Sequence, residues 1–128
     1  GQIQGKAPET FVAFLDENQR FHQELWGLAK SPMLLRALEA ACKLPFAEPD
    51  ALVFFGVSRA DAADAVHAAV AFQHHCSLVD AIENREGTRA EFLAREHSRM
   101  ARHNIDLALR DDETFRRMPG ASLVVKPG

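Results

Sequence analysis

Asn18 and His22 stand one helical turn apart in a run whose other regularly spaced residues are apolar. Phe11, Phe14, Leu15, Leu25, Trp26 and Ala29 recur there at intervals of three and four, the pattern of one buried helical stripe. Two further histidines interrupt apolar faces in the same way. His75 has Ala68, Ala71, Phe72, Leu78, Val79 and Ile82 at spacings of three, four and seven, and His97 has Ala90, Leu93, Ala94, Met100, Ala101 and Asn104. Each imidazole placed in a dry interior needs a polar partner. A single divalent cation meets that need for all three, because it accepts neutral imidazole nitrogen, and the side-chain oxygen of Asn18 is a further donor. The competing account gives each histidine its own hydrogen bond to a backbone carbonyl, the commoner fate of a lone core histidine.

The other histidines divide by their neighbours. His103 keeps company with Glu96, Arg99, Asp106 and Arg110, a solvated face. His67 and His74 are seven apart and flank the His75 stripe, where they line a pocket or lie at its margin. A metal used for hydrolysis needs a base or nucleophile beside it. The chain has no HExxH and no ExxH pair, and no Asp or Glu shares the inward stripes. Catalytic residues are therefore not expected.

The elements that carry these side chains are helices. Thr10 caps a first helix running to about residue 30. Ser31-Pro32 pairs an N-cap residue with proline at the first helical position, and opens a second helix ending near Pro45. Residues 45–57 connect, with Leu52-Val53-Phe54-Phe55 expected to pack as a short helical turn. Ser58 with Asp61 resembles a capping box for a long third helix that Gly87 stops. Thr88 with Glu91 makes another for a fourth, reaching Arg110 or, after a break at Asp111-Asp112, Met118. Ala121 to Val125 reads as an extended tail. The fold expected is all-α, an antiparallel bundle of four to five helices.

Composition agrees. The chain has 128 residues, 47% hydrophobic and 26% charged, with no Tyr and none of the alternating Val/Ile runs a sheet requires. A chain of this length is expected to form one domain with a single core. A net charge of −3 is no platform for phosphate-backbone contacts. Cys42 and Cys76 belong to no CxxC pair and read as small core residues rather than a disulfide. No segment has the run of roughly 18 apolar residues that a membrane span needs, and no signal-peptide pattern opens the chain, so a cytoplasmic protein is expected. Residues 1–9 read as a linker or cloning remnant.

Three short motifs carry a family resemblance. Asn18-Gln19-Arg20-Phe21-His22, followed by Ser31-Pro32, resembles the "D/N-x-x-F-H … N-P" segment of FCD domains, the C-terminal effector domains of FadR-type GntR transcription regulators. His75-Cys76-Ser77-Leu78-Val79-Asp80-Ala81-Ile82 is similar to "H-x-x-I-x-x-A-I", and Ala90 through His97 to "A-x-x-x-M-x-x-H", with Ala94 in the methionine's place. His97 follows His75 by 22 residues, the family spacing. The likeness runs over about residues 10 to 110.

The resemblance implies a helical bundle binding a divalent metal through one Asp and three His, with the metal helping to hold a small organic-acid effector. Carried over by position, the ligands are Asn18, His22, His75 and His97, and the ion is zinc or nickel. His67, His74, Asn104 and Phe72 are candidates for the effector pocket. It further implies a homodimer that meets DNA only through a winged-helix domain not found in this chain. The chain departs from the pattern at three points. Asn18 replaces the usual aspartate, a loss of charge that loosens the metal while leaving it more attractive to an anion. The family's opening helices and winged-helix domain do not precede Phe11, so a fragment of a longer regulator is expected. The arginine expected somewhat before His75 is not evident, and His67 stands in that neighbourhood. The readings set against a metal-assisted sensor are a helical metalloenzyme using the same histidines and a metal-free dimerisation module.

Overall fold

The computed structural model describes residues 9–44, 47, 49, 62–117 and 121–124. Among these residues every regular element is helical and none is a strand, so the all-α class holds. The chain divides into two compact units, residues 1–51 and 52–128. Helices α1 (Glu9–Gly27) and α2 (Pro32–Cys42) lie in the first. The second holds α3 (Ala62–Glu83), α4 (Gly87–Arg110), the short α5 (Asp112–Arg117) and one turn of 3₁₀ helix (Ala121–Leu123).

In the first unit the joint between helices follows from three consecutive residues. Lys30 takes a left-handed conformation (φ 49°) and its N–H bonds back to the Gly27 carbonyl at 3.1 Å, which ends α1. Ser31 is extended, and its Oγ accepts the Leu34 N–H at 3.2 Å. Pro32 then occupies the first helical turn, where a missing N–H costs nothing. The expected start of α2 is therefore the observed one. Its end comes at Cys42, with the Lys43 N–H reaching the Ala40 carbonyl at 3.3 Å and the Leu44 N–H the Ala41 carbonyl at 3.0 Å.

In the second unit α3 and α4 form a hairpin closed by Asn84, Arg85 and Glu86. Arg85 is left-handed (φ 58°). Its N–H bonds to the Ile82 carbonyl at 3.0 Å and that of Glu86 to the Ala81 carbonyl at 2.8 Å, the bond pair of a left-handed helix stop. Arg89 Nη1 then spans the turn, bonding Asp80 Oδ2 and Glu86 Oε2 at 2.6 Å each. These carboxylates push the Arg89 pKa up, through hydrogen bonds to Glu86 first and Asp80 second. The expected boundary here is corrected. Arg85, not Gly87, stops α3, and Gly87 is the first residue of α4. The Ala90 N–H bonds to the Glu86 carbonyl at 2.9 Å, so Thr88 lies inside the first turn instead of capping it.

Packing within the hairpin also departs from expectation. The most buried apolar residues are Leu78 and Ala81, four and seven residues after His74. With half-buried His67 and Ala71 they make a seam along His67, Ala71, His74, Leu78 and Ala81. The stripe drawn through His75 turns partly outward, with Phe72 at 61%, Val79 at 44% and Ile82 at 37% exposure. The reason lies in the short turn. Two helices joined through three residues must approach closely at that end, and Ala81 is small enough to allow it. On α4 the expected face is the observed one: Ala90, Leu93, Ala94, Met100, Ala101 and Asn104 are half-buried and His97 is buried.

The remaining expectations divide. The break at Asp111 is present, with the Phe115 N–H bonding to its carbonyl at 2.8 Å. Residues 121–123 form a 3₁₀ turn rather than an extended tail. Cys42 is half-buried, but Cys76 is exposed and is no core residue. The Ser58/Asp61 capping box and the Leu52–Phe55 turn lie outside the described residues. No helix among the described residues is long and apolar enough to cross a membrane.

Candidate functional site

In the second unit the hairpin brings His75 of α3 and His97 of α4 face to face. Their Nε2 atoms are 3.2 Å apart, with ring centroids 4.8 Å apart and planes inclined by 60°. Two chemistries produce such a separation. One imidazole can donate Nε2–H to the other in a hydrogen bond of ordinary length. Alternatively, two nitrogens each about 2.05 Å from one ion lie about 3.3 Å apart in tetrahedral and about 2.9 Å apart in octahedral geometry. The observed 3.2 Å lies between these, so the pair fits a shared ion without rearrangement. His97 is 8% exposed and His75 half-buried.

A third ring belongs to this group. His74 meets His97 edge to face, with centroids 5.7 Å apart and planes at 79°. Its Nδ1 is buried and has no hydrogen-bond partner among the described residues. The sequence placed His74 in a pocket or at its margin, since its face, which carries His67 and Ser77, is less apolar than that of His75. The signal that could have found it was Leu78 and Ala81 at its own i+4 and i+7 positions.

In the first unit Asn18 and His22 share one face of α1. Asn18 is buried at 8% exposure and His22 half-buried. Phe21 lies edge-on to the His22 ring at 5.5 Å, and Trp26, the only tryptophan, is 6.2 Å away. Burial pushes the His22 pKa below its ordinary value of 6.5. The ring is thereby kept in the neutral form that binds metal.

The remaining candidates scatter. His67 is half-buried on α3. Asn104 is half-buried on α4, its Oδ1 enclosed and without a hydrogen-bond partner among the described residues. Phe72 is mostly exposed on α3. His103 is exposed, beside the exposed Arg99–Glu96 pair, as expected of a solvated face.

His22, His75 and His97 each offer a ring nitrogen of the kind a metal ion accepts. No curated protein and no solved structure matches the chain. A family model does: that of the FCD domain, over residues 2–100. The match begins inside the segment read as linker and ends short of residue 110, to which the likeness was first drawn. It contains all four residues proposed as ligands from the motifs. The chain belongs to the FCD domain family, the effector-binding domains of GntR-type transcription regulators.

Proposed function

We propose that this domain senses a small organic acid at a divalent metal ion, zinc or nickel, held by Asn18, His22, His75 and His97. The observation that carries the proposal is the 3.2 Å separation of His75 and His97 Nε2, which suits two ligands of one ion. The neutral form favoured at His22 and the oxygen-bearing side chain buried one turn before it support the same donor set. A bound ion supplies positive charge and open positions for carboxylate oxygens. His67, His74 and Asn104 are the polar candidates for the rest of the effector pocket. Phe72 is retained there only as a shielding residue. In this reading the domain works in the cytoplasm as a homodimer, and reaches DNA through a winged-helix domain outside these 128 residues.

The same 3.2 Å contact favours one rival, a metal-free module whose histidines bond to each other. A metalloenzyme is less well supported, since Asp111 is the sole carboxylate that is not exposed among the residues whose burial is described. Metal analysis of the purified protein separates the first two. Stoichiometric zinc or nickel, lost on His97→Ala, is expected; a protein free of metal after incubation with both ions would establish the hydrogen-bonded pair instead.

A further inference from the structure

His74 is the one ring of the hairpin cluster that the proposed chemistry does not place on the metal. It is half-buried in the α3 seam, on the stripe that holds Leu78 and Ala81. A buried nitrogen with no hydrogen bond leaves packing contacts to hold the ring in place. Its ring packs against that of His97, with centroids 5.7 Å apart and planes at 79°.

The geometry of α3 explains what that contact can do. Consecutive helical residues project about 100° apart, so His74 and His75 approach His97 from two directions. His75 meets the Nε2 end, at 3.2 Å. His74 meets the ring at nearly a right angle, the arrangement aromatic pairs prefer. The terminal torsion of a histidine is broad and only weakly set by its own rotamer preferences. A ring packed at right angles narrows that torsion.

We propose that His74 is a positioning residue for His97, its ring holding the His97 imidazole in the plane that turns Nε2 toward His75. As far as metal affinity is concerned the inference rests on the metal reading above; as a statement about the His97 ring it does not.

The test uses the full chain and two variants that both fill the seam. His74→Leu keeps apolar volume without an aromatic edge, and His74→Phe keeps the edge without nitrogen. Titration with cobalt(II), followed by visible absorption, is expected to show about tenfold or greater weakening and altered bands in His74→Leu. His74→Phe should restore affinity and spectrum to near those of the parent. Equal affinity and spectrum in His74→Leu would overturn the proposal, as would a Phe variant no better than Leu. The second readout is ¹H–¹⁵N correlation of the His97 ring in metal-free protein, which should change in His74→Leu and stay near the parent in His74→Phe. If the parent binds no cobalt, the metal reading fails on its own and this spectrum decides: an unchanged His97 ring in His74→Leu overturns the positioning role.

Discussion

An amide oxygen offers a dication a dipole where a carboxylate offers a full charge, and Asn18 makes that difference testable. Replacing it by aspartate adds an attraction of order 1–4 kcal/mol at close range, so Asn18→Asp should tighten metal binding about fivefold or more. Calorimetric titration of metal-stripped protein reads this directly, and unchanged or weaker affinity would remove Asn18 from the donor set. His22 gives a second residue-scale outcome, in metal-free protein. Its folded pKa is lowered by burial while the unfolded chain titrates near 6.5. Between the two values the unfolded state binds more protons, so stability falls as pH drops below about 6.5 and levels off below the folded pKa. Urea unfolding at about pH 7.5 and about pH 5 should show a smaller acid loss in His22→Gln than in the parent. Asn18 and His97 were legible as inward polar residues because each interrupts an apolar stripe, and both are buried. The His74 contact was not, since periodicity ranks faces by apolar content and the His74 face, with His67 and Ser77 on it, ranks below that of His75.

Helix boundaries show the same division between local and tertiary causes. The Ser31-Pro32 start was legible because the cap is made by neighbours in sequence, Ser31 Oγ and the Leu34 N–H. The α3–α4 turn was misread because glycine was expected at the left-handed position, and the chain puts Arg85 there instead. A side chain in that conformation costs about 1–2 kcal/mol, part of which glycine gives back as entropy in the unfolded chain. Arg85→Gly should therefore raise stability by about 0.5 kcal/mol, provided the turn is kept. A shift of the urea midpoint upward at constant slope is the expected result, and a fall would mean that the Arg85 side chain itself supports the turn. The seam of α3 escaped prediction for a different reason. Two apolar stripes run along this helix, through His74 and through His75, and pattern alone does not say which one meets α4. Leu78 is shared by both and is 2% exposed, so Leu78→Ala should cost about 2–5 kcal/mol, measured by the same unfolding experiment.

For the whole molecule, the family was legible in three short motifs at fixed separations, because a bundle that carries its site inside must repeat donors at helical spacing. The division of the chain into two units was legible only as a place, since the connector read at residues 45–57 contains the boundary but does not say that the helices on its two sides form separate units. What the family assignment leaves to experiment is the effector. The proposed donor set leaves positions for an anion on an octahedral ion, and a carboxylate there would gain from neutral ligands that leave the cation's charge uncompensated. Metal and acid should then reinforce each other, each raising the other's affinity by the same factor. Thermal unfolding against a panel of small mono- and dicarboxylates, with and without chelator, measures this through ligand-linked stabilisation. At about 100 times its Kd a true effector adds about 2.7 kcal/mol, which amounts to about ten degrees for a domain of this size. The shift should appear only with metal present, and the acid should be recovered unchanged. A shift that survives chelation would take the metal out of effector binding, and consumption of the acid would make the domain an enzyme rather than a sensor.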